Sequence, residues 1–319
     1  MKKNTILALV GLGFFGLVIA KIGWVVVVPQ IKAASKVLPV IIGLSILRLV
    51  MQTMSWAIAL RAEGIAASTE DLIGMRLAAQ GMGYITPLGA VISEPMKIRL
   101  LGGSATVATL VDTGTYWFAS GLFGIIGCIA AALLVARSVH TLTLLALLTA
   151  IFTGSVILIA RPKPLLSPLV RVLRGRCPGW LKKGERIEGA IRKFGALHPS
   201  SIRKMFWIDV ACQLLLALEV AVVLWILSIP FQMGTILVLE VANRGVKMLT
   251  GWMPGRLGTD EGGMAGAFVT LGLSSASGLA LALTRRTRDL LACAVGFGWL
   301  TWKSKFRSIG QEEVALCKL

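Results

Sequence analysis

The stretch Asp71 to Leu101, DLIGMRLAAQGMGYITPLGAVISEPMKIRLL, decides the fold. It is apolar enough to enter a bilayer. Yet a predicted helix carrying Arg76 and Gln80 is stopped by Pro87 and Gly89, and a second helical arm is predicted to begin around Glu94 and Pro95. Charge and broken backbone at membrane depth are tolerated only where they are buried in protein or line a water-filled cavity. The segment therefore reads as a re-entrant hairpin and not as a plain span.

A second segment, Gln232 to Gly272, has the same design. Its helix carries Glu240, Arg244 and Lys247, and it breaks at Met253-Pro254-Gly255-Arg256-Leu257-Gly258 before Asp260 and Glu261 open the next arm. Pro87 and Glu94 are seven residues apart, and so are Pro254 and Glu261. Arg76 and Arg244 correspond to within one residue, and Gln80 matches Lys247 directly. An internal repeat explains this spacing, with 38–136 as the first copy around 71–101 and 206–302 as the second around 232–272.

Outward from these segments the chain is mostly lipid-soluble. Of its 319 residues 56% are hydrophobic and only 15% charged, which excludes a water-soluble domain. A span needs roughly 20 apolar residues, and such stretches occur at 4–28, 38–60, 105–136, 141–160, 206–229 and 276–302. The expected fold is an all-α polytopic membrane protein: about six transmembrane helices plus two re-entrant hairpins, in one membrane domain over 1–319. The run from 4 to 28 continues past Lys21 through Trp24 and four valines, so it reads as an uncleaved anchor rather than a cleaved signal peptide.

The formal charge of +18 has a topological explanation. Twelve lysines and arginines between Arg161 and Lys204 face only Glu185 and Glu188, which marks this loop as cytoplasmic. Ile187, Ile191 and Phe194 recur in it at helical spacing, the pattern of a helix on the anionic inner leaflet, although positive-inside bias alone accounts for the charges. No stacking motif points to nucleic acid. In the last span Arg285, Arg286, Arg288 and Asp289 interrupt the apolar run; one continuous helix is preferred, because two short spans would put Lys303, Lys305 and Arg307 outside. Both termini are then cytoplasmic, and the protein belongs in the plasma (inner) membrane. The first broken segment enters from the cytoplasm and the second from outside, so the repeats are inverted about an axis in the membrane plane.

Five scattered cysteines and the isolated His140 and His198 give no metal-ligand spacing, and neither a metal nor a cofactor is expected. The expected site lies where the hairpins meet. Arg76, Arg244, Lys247 and Arg256 are the candidate phosphate contacts, and Glu94, Asp260 and Glu261 would hold amines or organise the basic groups. Gln80, Pro87, Gly89, Lys97, Asp112, Glu240, Pro254, Gly255 and Gly258 complete the candidate substrate-binding set. Each has a plainer reading: Glu94 and Glu261 as acids favouring helix N-termini, Glu240 with Arg244 as a structural pair, Asp112 with Tyr116 as an interfacial pair.

Thr86-Pro87-Leu88-Gly89 with Glu94-Pro95 and Lys97, Pro254-Gly255-Arg256-Leu257-Gly258 with Glu261, and the run from Leu281 to Arg285 before a final apolar helix carry a resemblance. The chain resembles the flippase-like transmembrane domain of lysylphosphatidylglycerol synthetases and its stand-alone relatives. The resemblance implies two re-entrant hairpins and movement of a polar-headed lipid between leaflets, with membrane lipids as partners. It does not carry over lipid synthesis, since the chain has no room for a soluble aminoacyl-transfer domain. An oligomer is compatible with this reading. The rival readings are an intramembrane enzyme on a lipid or isoprenoid phosphate, with Asp112, Glu94 and Glu261 as acids or bases, and a scaffold for a lipid-synthesis pathway.

Overall fold

The computed structural model describes residue 32 and residues 36–86, 89–101, 103–134, 139–160, 179–256 and 258–316. The predicted anchor at 4–28, Pro87, the loop portion 161–178 with Cys177, and Cys317 lie outside these residues.

Local signals set the helix ends. In α1 (Leu38–Ala62) Pro39 occupies the first turn, where its missing N–H is no loss. It closes through Gly64 at φ 74°, with the Ile65 N–H donating to the Leu60 carbonyl at 2.9 Å, a Schellman-type stop. Helix α2 (Thr69–Ile85) starts at Ser68, whose hydroxyl accepts the Asp71 N–H at 3.2 Å, and stops at Thr86, held extended as the residue before a proline. Then follow α3 (Gly89–Leu101), a 3-10 turn at Gly103–Ala105, α4 (Thr106–Leu134), α5 (Val139–Ala160) and α6 (Gly179–Leu197). The chain continues through α7 (Pro199–Ile226), α8 (Met233–Thr250), a 3-10 turn at Pro254–Arg256, α9 (Thr259–Thr270) and α10 (Ser275–Leu316). Helix α7 ends as α1 does: Ser228 takes φ 54° and the Ile229 N–H donates to the Leu224 carbonyl at 2.9 Å.

No strand occurs among the described residues. Helix α1, the stretch Gly103–Leu134 and α7 are long and apolar enough to cross a membrane, and Leu145–Ile159 in α5 is a shorter apolar helix. Ile129, Leu133, Leu147, Leu214, Leu218, Trp225 and Val295 are exposed, while Arg76, Asp112, Glu219 and Arg285 are buried. This polarity is the reverse of a soluble protein's and suits a lipid solvent. The chain is an all-α polytopic membrane protein.

Two expectations concerning the broken segments meet different outcomes. Helix α10 is continuous through Arg285, Arg286, Arg288 and Asp289, as preferred from the charge distribution. The second arm of the first segment, however, begins at Gly89 and not at Glu94-Pro95, and Pro95 lies inside α3. The physical reason is in the corner. A Cβ on Gly89 would overlap the Gly83 carbonyl oxygen, so the arms of the turn touch through two glycines and the helix restarts at once.

A long, a short, a short and a long helix thus occur twice, as α1–α4 and α7–α10, and the two series exchange contacts. Helix α2 packs against α10 while α8 packs against α4, and α1 lies on α7. Both exchanged joints are built on small residues, as close helix packing in lipid requires. A Cβ on Gly296 of α10 would stand 2.5 Å from the Leu77 backbone of α2, and one on Gly127 of α4 would stand 3.0 Å from the Leu237 carbonyl of α8. Phe194 of α6 is buried and Ile191 packs beside it against a cluster that includes Trp56, Leu60 and Met205. The bundle therefore occupies the apolar side of α6, which leaves Lys183, Arg186 and Lys193 exposed.

Candidate functional site

The buried charges fall into two clusters, one in each helix series. In the first, Arg76 of α2 donates to the Asp112 carboxylate of α4 at 2.8 Å and to the Gln52 carbonyl of α1. Both side chains are almost fully buried, so the pair is a desolvated one whose geometry must be good to be stable. Lys97 of α3 donates to Glu94 one helical turn earlier at 2.8 Å, and the Thr113 hydroxyl donates to the same carboxylate at 2.7 Å. The face of Trp56 lies 5.9 Å from Arg76 and 5.8 Å from Lys97, and the indole N–H donates to Thr109 at 3.1 Å. Gln80 is exposed.

The second cluster is denser. Arg285 of α10 bridges Glu219 of α7 and Glu240 of α8, each at 2.7 Å. Arg288 pairs with Glu219 as well and with Asp289 at 2.8 Å. Arg244 is 3.8 Å from Glu240 and donates to Gln213 of α7 at 2.7 Å; it also donates to Ser120 of α4, in the other series. At the break, Gly255, Arg256 and Gly258 take positive φ of 64°, 45° and 79°. The Glu261 carboxylate accepts the Gly258 N–H at 2.9 Å and pairs with Arg286 at 2.6 Å, and Arg286 also donates to the carbonyls of Gly255 and Arg256 at 3.3 and 3.0 Å. The N-terminus of α9 is therefore capped by the chain's own acid. Arg256 pairs with Asp260 at 3.1 Å and stacks 5.6 Å from the ring of Tyr84 in α2.

Between these groups lies a narrow cleft, lined by Tyr84, Asn243, Lys247, Asp260, Arg286 and Asp289 among others. Its free volume of about 10 Å³ is room for a single water molecule. Lys247 lines it with Asp260 and Asp289 within electrostatic reach, and among the described residues it makes no hydrogen bond or ion pair.

The candidate residues are thus brought together in pairs: Arg76 with Asp112, Glu94 with Lys97, Glu240 with Arg244, Arg256 with Asp260, Gly258 with Glu261. Among the described residues no ion pair joins the two clusters; Arg256 on Tyr84 and Arg244 on Ser120 link the series by polar contacts, and Lys303 of α10 pairs with Asp71 of α2 away from both clusters. Pro87 lies outside the described residues, but the end of α2 meets the turn Pro254–Arg256. Sequence reasoning missed Glu219, Asp209, Gln213 and Tyr84, and it put Arg285, Arg286 and Arg288 on one long helix without including them in the candidate site. A lone acid in an apolar span was the available signal for Glu219 and Asp209.

The family model of the lysylphosphatidylglycerol synthase TM region matches residues 5–296. No curated protein and no solved structure matches the chain. The match extends through both helix series and both charge clusters, so the function is one related to membrane lipids, and the chain belongs to the family of the lysylphosphatidylglycerol synthase TM region.

Proposed function

We propose that this protein moves a lipid with a phosphate-bearing head group between the leaflets of the inner membrane, by alternating access of two inverted repeats around the cleft at Lys247. The observation that carries this reading is the charge pairing of the second cluster. Six cations, Arg244, Lys247, Arg256, Arg285, Arg286 and Arg288, stand against five carboxylates, Glu219, Glu240, Asp260, Glu261 and Asp289, and among the described residues the member of this cluster without an ion pair, Lys247, lines the cleft. A partly buried cation held only at a distance by Asp260 and Asp289 leaves room for an anionic partner, and a phosphate would neutralise it.

The inverted-repeat reading is supported by the exchanged packing of α2 on α10 and α8 on α4, the pattern a two-fold axis between the series produces. In it α2–α3 and α8–α9 are the re-entrant hairpins, α10 is a crossing helix, and the termini and 161–204 loop are cytoplasmic. The cleft as it stands holds one water, so a head group enters only when the series rock apart; the acyl tails stay in lipid throughout. Arg256 and Arg244 are further phosphate contacts, released from Asp260 and Glu240 on opening. Arg76, Gln80, Glu94, Lys97 and Asp112 belong to the matching half-site, with Pro87, Gly89, Pro254, Gly255 and Gly258 shaping the two breaks. The exposed basic side of α6 meets anionic inner-leaflet lipids.

The test is reconstitution into vesicles carrying head-labelled phosphatidylglycerol, with leaflet transfer read by an impermeant quencher. Lys247→Gln is expected to slow transfer about tenfold, the kinetic equivalent of ~1.4 kcal/mol. Transfer equal in protein-free and protein-loaded vesicles across anionic, zwitterionic and isoprenoid phosphates sinks the reading. Recovery of a chemically altered lipid turns it toward the enzyme alternative.

A further inference from the structure

The first cluster holds a group that neither the pairing scheme nor the lipid site uses. Asp209, on α7, is 1% exposed, and its Oδ2 has no hydrogen-bond partner. It stands against the Arg76–Asp112 pair: Asp112 of α4, Arg76 of α2 and the Thr115 hydroxyl are its electrostatic and polar neighbours. Cys212, one turn further along α7, lies beside it, and Arg48 of α1 acts on Cys212. Lys97 and Glu94 of α3 reach the same pocket through Asp112 and Arg76.

Charge balance then leaves one place vacant. With every group ionised, Asp112 and Asp209 face Arg76 in the buried part of this pocket, while Glu94 and Lys97 neutralise each other and Arg48 acts from the far side of Cys212. Lys97 is taken by Glu94 and Arg76 by Asp112 at 2.8 Å each, and among the described residues no ion pair reaches Asp209. An isolated carboxylate in such a place is expensive, and beside a second carboxylate that cost is relieved when one of them binds a proton.

We propose that Asp209 and Asp112, beside Arg76, form a proton-binding site at the junction of the two helix series. The proton comes from water, binds a carboxylate oxygen of Asp209, and leaves by the same oxygen; no other bond changes. Arg76 and Asp112 sit on the first series and Asp209 on the second, so loss of the proton puts two like charges across the contact of α7 with α4. Titration therefore pushes the series apart, and binding draws them together. The consequence for lipid movement rests on the transport reading above; the site itself does not. Asp209 lies five residues beyond the exposed Lys204, about 7.5 Å along the helix axis, so the proton exchanges on the side of the basic loop.

Infrared pH-difference spectra of the full chain in nanodiscs test the site directly. A protonated-carboxyl C=O band that titrates in the wild type and is missing in Asp209→Asn is expected; identical spectra for the two overturn the proposal. Thermal unfolding gives a second reading. Asp209→Asn, a neutral isostere of the protonated side chain, is expected to unfold no earlier than the wild type, whereas Asp112→Asn, which strips Arg76 of its partner, unfolds earlier. Equal losses in both variants mean that Asp209 is an ionised structural partner, and the proton site fails. In vesicles with an imposed pH gradient, wild-type lipid transfer is expected to respond to the gradient and Asp209→Asn transfer to ignore it. An intact titrating band with no lipid movement under any gradient keeps the proton site and removes the transport reading. Gradient-independent wild-type transfer, with no band at Asp209, removes the proton site and keeps transport.

Discussion

The two breaks share a proline, a glycine and an acid seven residues on, and they are built differently. At the first, α2 and α3 touch through Gly83 and Gly89, the helix restarts at Gly89, and Glu94 lies mid-helix against Lys97 and Thr113. At the second, three residues with positive φ carry the chain over a wider turn, and Glu261 stands in the first turn of α9, where it caps Gly258 and holds Arg286. Equal spacing placed equal residue types in corresponding helices without giving them equal partners. The difference lies in what surrounds each break: α10 brings Arg285, Arg286 and Arg288 to the second cluster, and α4 brings a carboxylate, Asp112, to the first. Among the described residues the second cluster leaves Lys247 and the first leaves Asp209 without an ion pair.

The strongest way to break this comparison is to remove the bridging cation of the richer cluster. Arg285→Ala leaves Glu240 facing Arg244 at 3.8 Å and Glu219 facing Arg288 alone. A loss of about 3–5 kcal/mol is expected, read as a lower unfolding midpoint in detergent. Combining it with Glu240→Gln should return part of that loss; no recovery would mean the bridge is not the source of stability. Arg244→Ala is expected to cost less, about 1.5–3 kcal/mol, the worth of its charged hydrogen bonds to Gln213 and Ser120. Glu240 keeps Arg285 in that variant, so pairing with Glu240 is not what the substitution mainly tests.

Substitution at the exchanged joints sharpens the comparison at the level of packing. Gly296→Val drives a side chain into the Leu77 backbone and should destabilise by about 1–3 kcal/mol. Gly127→Val, with its nearest neighbour at 3.0 Å, should do the same more mildly. If either variant unfolds with the midpoint of the wild type, that joint does not hold the two series together. The smallest effect is expected at the position where the halves differ most. Lys247→Gln gives the second series the residue that Gln80 supplies in the first, and it removes a cation without a salt bridge. Its stability should stay within about 0.5 kcal/mol of the wild type, while lipid transfer falls. A large loss of stability would make Lys247 a structural cation.

The long apolar helices and the broken places between them were legible because the bilayer imposes length and apolarity on a segment by itself, and because Pro and Gly act locally. Arg76, Glu240, Arg244 and Lys247 stood out for the same reason, as charges where lipid tolerates few. Glu219 and Asp209 are equally legible as lone acids in an apolar run. The α3 start was misplaced because a proline inside a helix and one at its beginning look alike until the corner packing is known.

The sequence by itself determined the solvent of this protein, its helices, their broken places and the residue types that must be hidden from lipid, all properties of a segment and its neighbours along the chain. Only the tertiary structure decided which acid meets which base. Arg285 is 66 residues from Glu219 and 45 from Glu240, and Arg76 is 36 from Asp112. Such pairings are chosen by how α2 seats on α10 and α8 on α4, and a buried charge is stabilised or stranded by the group that packing brings within about 3 Å of it, which no spacing along the chain encodes.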